Sequence, residues 1–476
     1  MDSRIKELIS NTFFFALSNL GSKVLVFLMV PFYTYVLSPD EYGIASVIQT
    51  IGTLLLPLLT AKIQDAVLRF CYIKNYNRKN ILSLGVTVCF VGSIVSIFIS
   101  FCLGFIPIFH DVRSVLFFVP LFVFSNSFYL LLNYYSRGIA KVKESAISGI
   151  INTLVVVVLN LLFLLVFKWR IEGYLSSFII ADIISFLYLL FINRKYVFSR
   201  YRIDKSLGKE MLLFSLPLIP TSLSWWLLGN LNNIFILSAL GSFSVGLYSA
   251  SLRVPSILTA LSDIFSQAWL LSALRDYGTK ENRIFIKSIH QKFFSALCML
   301  TGGIILFTYP IARLLLQGDF IQGWRIVPLL FVAVYIGALT GFYGSIFSAE
   351  KKTMIHFRST IIGSVISVVI VLLFLRSFGL LGIPFSTVVG HFVIWLIRKE
   401  SLKTFIDIGM STFKALIIFM LLISIAIFVI FELYICACLV YCVLFIINYS
   451  IIKDVYIACM NQFLYWLKMR QKSLKS

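Results

Sequence analysis

Long apolar runs follow one another along almost the whole 476-residue chain, and they limit what it can fold into more than any other feature. Each holds roughly 18 to 25 residues, the length a helix needs to cross the hydrocarbon of a bilayer. About fourteen can be counted. They lie near 9–37, 44–69, 81–106, 115–136, 146–167, 173–192, 211–238, 246–272, 290–316, 326–348, 354–375, 379–397, 412–431 and 433–452. A membrane β-barrel would need short alternating segments, and none is present. The chain is 60% hydrophobic and 13% charged, against about 25% charged residues in soluble domains. The sequence predicts an all-α integral membrane protein with about fourteen transmembrane helices.

The net charge of +21 is large enough to raise nucleic acid as a partner, but its placement argues otherwise. With the N-terminus in the cytoplasm, about 31 of the 41 Lys and Arg fall in cytoplasmic loops, tails or helix ends. The longest basic group is Arg194, Lys195, Arg200, Arg202, Lys205 and Lys209; another is Arg398, Lys399 and Lys403. Outer breaks are short and poor in Lys and Arg, as around Asp40 and Glu41. This alternation sets orientation, and an even number of spans leaves both termini in the cytoplasm. The first apolar stretch is too long for a cleaved leader and is expected to remain as a span. Of the eight cysteines, Cys436, Cys438 and Cys442 cluster in an apolar run without histidine partners, which is not a zinc signature.

The basic linker at 193–210 divides the chain into an N-terminal six-helix lobe (1–192) and a C-terminal one (211–400). Two further helices and a basic tail follow (401–476). A weak repeat spans the linker. Glu41-Tyr42-Gly43-Ile44-Ala45-Ser46 and Ser244-Val245-Gly246-Leu247-Tyr248-Ser249 each place a glycine at the foot of the following run. Paired lobes with a site at their interface are the usual plan of alternating-access transporters.

Five basic side chains interrupt the apolar runs: Lys23, Lys62, Arg69, Arg253 and Arg313. Each costs roughly 3 kcal/mol at the bilayer centre even on the mild insertion scale, so they are expected to face a protein interior or a wet cavity. Lys62, Asp65 and Arg69 stand at i, i+3 and i+7 and read as one helix face. They serve either as an ion pair joining helices or as a net-positive cavity lining. Asn19, Ser22 and Lys23 form a polar patch in the first run. Arg253, Ala260, Asp263 and Gln267 read as one face of the eighth. Asn230, Asn232 and Asn233 crowd the seventh, whose start is broken by Pro217 and Pro220. Trp225 and Trp226 are candidates for packing or for stacking on sugar. Asp182 and His391 are isolated ionisable groups, candidates for ion coupling or for plain interhelical hydrogen bonds. The cationic set points to an anionic cargo, and an Arg fork suits phosphate oxygens. No P-loop, kinase or hydrolase signature is present, so the expected energy source is an ion gradient or the membrane potential, with no cofactor.

On these motifs the chain resembles a known family. NTFFFALSNLGSKVLVFLMVPFYTYVLSPDEYG (Asn11 to Gly43), IQDAVLRF (Ile63 to Phe70) and RVPSILTALSDIFSQAWLLSAL (Arg253 to Leu274) are similar to polysaccharide repeat-unit flippases. These are the O-antigen and capsule translocases of the multidrug/oligosaccharidyl-lipid/polysaccharide exporter superfamily. The resemblance implies a V-shaped pair of six-helix lobes in the bacterial plasma membrane. It implies a cargo of undecaprenyl-diphosphate-linked oligosaccharide moved from the inner to the outer leaflet. It also implies that Lys23, Arg69 and Arg253 meet the diphosphate; Lys62 is expected to line the same cavity from its place on the face with Asp65 and Arg69. The last two helices would then form a groove for the lipid tail, and the partners would include membrane lipids and polymerase or chain-length proteins. A small-drug exporter and a membrane polysaccharide polymerase are the alternatives. The first calls for an acidic cavity and the second for a large outer loop, and the residues favour neither.

Overall fold

The computed structural model describes residues 24–73, 76–197, 204–263, 265, 280–349, 352–403, 411–449, 451 and 453. Among them there are helices and no strands. In chain order the main helices are α1 (Val24–Val36), α2 (Pro39–Leu59), α3 (Ile63–Tyr72), α4 (Arg78–Leu103), α5 (Phe118–Gly138) and α6 (Val142–Leu161). Next come α7 (Arg170–Ile192), α8 (Lys205–Ser215), α9 (Leu218–Gly229), α10 (Leu231–Ser251), α11 (Lys280–Leu306) and α12 (Thr308–Leu315). The last are α13 (Val327–Ala349), α14 (Thr353–Phe378), α15 (Gly382–Leu402), α16 (Thr412–Ile430) and α17 (Tyr434–Tyr449).

Nine helical stretches among the described residues are long and apolar enough to cross a membrane. A bent pair, the 3₁₀ turn Pro107–Val115 and α5 at 70°, makes ten. One of the nine, Met354–Leu402, contains both α14 and α15. This count falls below the expected fourteen because some runs are broken, two are joined in Met354–Leu402, and others lie partly outside the described residues. The run 44–69 divides at Ala61 and Lys62, whose φ values of 48° and 54° are left-handed. Lys62 is therefore the N-cap of α3, not a residue on the same helix as α2. The run 246–272 is interrupted too: α10 ends at Ser251, and helix resumes only at 256, after Pro255. Arg253 lies in that break, so it does not share a helix face with Asp263, as its spacing predicts.

The helices start where local chemistry favours it. Ser38 and Glu41 form a reciprocal cap on α2, with Pro39 in the first turn and Asp40 and Glu41 at its positive end. Asp204 caps α8 through Ser206 N and Leu207 N.

The described residues fall into two compact units. The first draws on the chain as far as Ile257, with Leu314–Gly323 and Val369–Ile383. Small polar side chains join its helices. Asn133 donates to Ser148 Oγ and accepts from Ser145 Oγ between α5 and α6, and Asn160 donates to Ser177 Oγ between α6 and α7. Such groups hold helices together where no hydrophobic effect operates between them. Its outer faces are apolar, as at Phe98, 69% exposed on α4. The second unit comprises Leu258–Arg313, Trp324–Val368 and the chain from Pro384. Its core is aromatic: Phe294, Tyr335, Trp395 and Phe419 meet ring to ring.

Candidate functional site

Arg253 has the most distinctive surroundings of the expected site residues. Its guanidinium lies close to the hydroxyls of Tyr33, Tyr42 and Tyr174, and the Tyr42 and Tyr174 rings pack on each other at 5.7 Å. Tyr33, Tyr42 and Tyr174 come from α1, α2 and α7 and are 2–5% exposed. Their rings close on one another, Tyr33 edge-on to Tyr174 at 5.1 Å, with Phe320 against Tyr42 at 5.8 Å. Phenol oxygens accept hydrogen bonds but carry no charge, so the half-buried guanidinium keeps its full positive charge. Nothing in the sequence singles out these tyrosines, because aromatic residues in apolar runs look like ordinary packing.

Lys62 and Asp65 pair at 3.0 Å across the start of α3, both about three-quarters buried. Asp65 Oδ2 is buried and has no other partner. Arg69 does not join them. It is exposed, and its guanidinium stacks on the Phe214 ring at 4.2 Å. The pair therefore neutralises itself, while Arg69 keeps its charge. Outside the apolar segments, Tyr76 donates to Glu210 at 2.6 Å, and that bond raises the phenol's pKa.

The two repeat glycines face each other where α2 crosses α10. A Cβ on Gly43 would lie 2.0 Å from Ser242 O, and one on Gly246 would lie 1.8 Å from Pro39 O. Only glycine allows backbones this close. Beside the crossing, Ser242 Oγ donates to Asp40 at 2.7 Å. Gly241, at φ 79°, kinks α10 immediately before it. Deeper along α2, Asn233 donates to Thr50 Oγ1 and Trp226 Nε1 donates to Thr50 O. Trp226 is thus a packed, bonded side chain. Trp225's side chain is outside the described residues. Asn230 is half-buried at the junction of α9 and α10.

Asp182 on α7 is 6% exposed. Its two oxygens accept from Asn126 on α5 and Asn152 on α6, each at 2.9 Å. Among the described residues, two neutral amides and no cation hold this carboxylate.

Asp263, Arg313 and His391 belong to the second unit. Asp263 is half-buried and Arg313 is exposed on α12. His391 Nδ1 lies 2.9 Å from Thr387 O, and its ring rests against Gly337. Asn19, Lys23 and Gln267 lie outside the described residues.

Comparison with known proteins agrees with this architecture. The family described as "Polysaccharide biosynthesis protein" matches residues 8–270, more than half of the chain. An uncharacterized membrane protein of Methanocaldococcus jannaschii is 22% identical over 413 residues, covering 82% of this chain and 97% of that protein. The inward closed structure of the lipid II flippase MurJ superposes with a TM-score of 0.69 at 15% identity, over 93% of this chain and 99% of that one. An inward-facing multidrug resistance MATE transporter of the MOP superfamily superposes with a TM-score of 0.61 at 15% identity, over 82% and 98%. The fold is thus the all-α membrane fold of these transporters, and on the match across residues 8–270 the chain belongs to the polysaccharide biosynthesis protein family.

Proposed function

We propose that the protein is a flippase. Its cargo is an undecaprenyl-diphosphate-linked oligosaccharide repeat unit, which it moves across the bacterial plasma membrane by alternating access for surface polysaccharide synthesis. It catalyses no covalent step. The observation that carries this reading is Arg253, a guanidinium in an apolar segment whose neighbours are the neutral phenols of Tyr33, Tyr42 and Tyr174. A diphosphate cannot enter hydrocarbon without a counter-charge, and a retained cation lowers that barrier. Arg69, also unneutralised, is the second group assigned to the headgroup. Lys62 is secondary because Asp65 already pairs with it. The lobes 1–192 and 211–400 alternate about the site, both termini are cytoplasmic, and polymerase and chain-length proteins act on the product. Energy comes from an ion gradient or the membrane potential, with Asp182 as the coupling group, since a buried carboxylate without a cation can take up one or a proton.

The test is export. Arg69→Ala and Arg253→Ala combined should abolish surface polysaccharide while the protein stays at normal abundance in the membrane. Unchanged surface polysaccharide in the double variant would end the reading.

A second reading, a cation-coupled exporter of small drugs, draws on Asp182 and on the likeness to the MATE transporter. Raised drug resistance in a sensitive host, with polysaccharide unaffected by loss of the protein, would favour it.

A further inference from the structure

The second unit buries two adjacent cations that have no carboxylate partner among the described residues. Arg398 and Lys399, near the end of α15, are 1% and 3% exposed. Arg398 is fixed by neutral groups: Nε donates to Ser359 Oγ at 2.9 Å, Nη1 to Thr340 O, and Nη2 to Thr360 Oγ1 and His356 O. The fold makes room for it, since a Cβ on Gly344 would lie 3.0 Å from Arg398 Nη1 and 2.6 Å from the His356 ring. Lys399 Nζ has no hydrogen-bond partner and stands over the Trp395 ring at 4.9 Å. His290, fully buried on α11, is close enough to feel the Lys399 charge. Its Nε2 meets Tyr343 Oη at 3.0 Å, while Nδ1 has no partner. Trp395 Nε1 lies near the Tyr343 hydroxyl but also closes no hydrogen bond. Three buried nitrogens in one neighbourhood therefore lack acceptors among the described residues.

Ordinary compensations fall short. The helix dipole at the end of α15 supplies roughly half an elementary negative charge, against two positive ones. A cation–π contact contributes about 0.5–2 kcal/mol, whereas burying an ion costs several. The nearest carboxylate in sequence, Glu400, is bound to Lys403 at 2.7 Å. A buried donor set with excess positive charge is what an anion completes.

We propose that Lys399, with His290 and Trp395 as further donors and Arg398 as a fixed charge, forms a binding site for one small halide-type anion. A larger oxyanion fits less well. Four of the five guanidinium N–H groups are committed, so no bidentate fork remains, and the free donors are single N–H points against aromatic walls. The site uses neither Arg253 nor Arg69, and its test involves no glycan lipid, so it succeeds or fails independently of the transported cargo.

The experiment measures equilibrium binding of radioactive chloride to the purified full chain in gluconate buffer. The expected result is saturable binding displaced by bromide. Lys399→Met should weaken it by about tenfold or more. Lys403→Gln, at an exposed lysine already paired with Glu400, should leave it unchanged. Should Lys399→Met not fold, bromide-soaked crystals of the unaltered protein decide, by an anomalous peak within hydrogen-bonding distance of Lys399 Nζ. The proposal is overturned by absence of saturable binding, by binding that survives in a folded Lys399→Met, by orthophosphate competing as well as bromide, or by crystals without that peak.

Discussion

Asp182 illustrates how one buried charge depends on residues far away in the chain. Asn126 and Asn152 each satisfy one of its oxygens. Replacing Asn126 with Ala leaves an oxygen buried without a donor, which should cost about 1–3 kcal/mol. In an Asp182→Asn background the same replacement should cost less, because a neutral amide suffers less from losing one partner. Thermal unfolding of the four proteins in detergent measures this cycle; equal costs in both backgrounds would show that the carboxylate charge is not what the amides serve. Sequence reasoning found Asp182 because a lone carboxylate in an apolar run is conspicuous. It could not find Asn126 and Asn152, since amides on two other helices carry no periodic signal. It gave no sign that Arg398 and Lys399 are buried, for the opposite reason. Basic residues at the end of a run look like orientation signals, and only packing shows that they are buried.

Among the elements, α2 and α10 were the most legible. The matched motifs around Gly43 and Gly246 were visible in sequence, and the structure brings both glycines to one crossing. Breaks in the backbone were not legible. Hydropathy registers composition, and it does not detect left-handed residues such as Ala61 and Lys62 or the turn at Arg253. A stability comparison tests the crossing. Gly246→Ala places a methyl 1.8 Å from Pro39 O, a backbone atom that cannot swing aside. Overpacking of this kind costs about 1–3 kcal/mol, or more where backbone is the obstacle. Gly229→Ala, with nothing within 4 Å of its Cβ, should be neutral or stabilising by up to about 1 kcal/mol. Both are read as shifts in unfolding temperature, and equal shifts would mean that the close approach contributes nothing.

For the molecule as a whole, bonds join interhelical breaks of like parity within each unit. Glu41 pairs with Arg170 at 2.9 Å, Asp40 with Ser242, and Thr34 with the backbone of Gln317. These lie at the breaks after the first, fifth, seventh and ninth expected runs, all on one side. Arg325 and Glu432 in the second unit sit at breaks of the same parity. On the other side, Tyr76 bonds Glu210 and Lys141 bonds Asn193, joining breaks after the second, fourth and sixth runs. None of these contacts joins an odd break to an even one. Which face is cytoplasmic rests on the basic residues, and labelling can test it. In a chain whose eight native cysteines are replaced, His110→Cys lies on the odd side, where the native side chain is 85% exposed. Lys205→Cys lies in the basic linker on the even side, also exposed. The charge asymmetry places the linker inside. A membrane-impermeant maleimide should therefore label Cys at 110 in intact cells and Cys at 205 only after permeabilisation. The reverse pattern would invert the protein, put the basic linker outside, and remove the charge argument for a cargo loaded from the cytoplasmic leaflet.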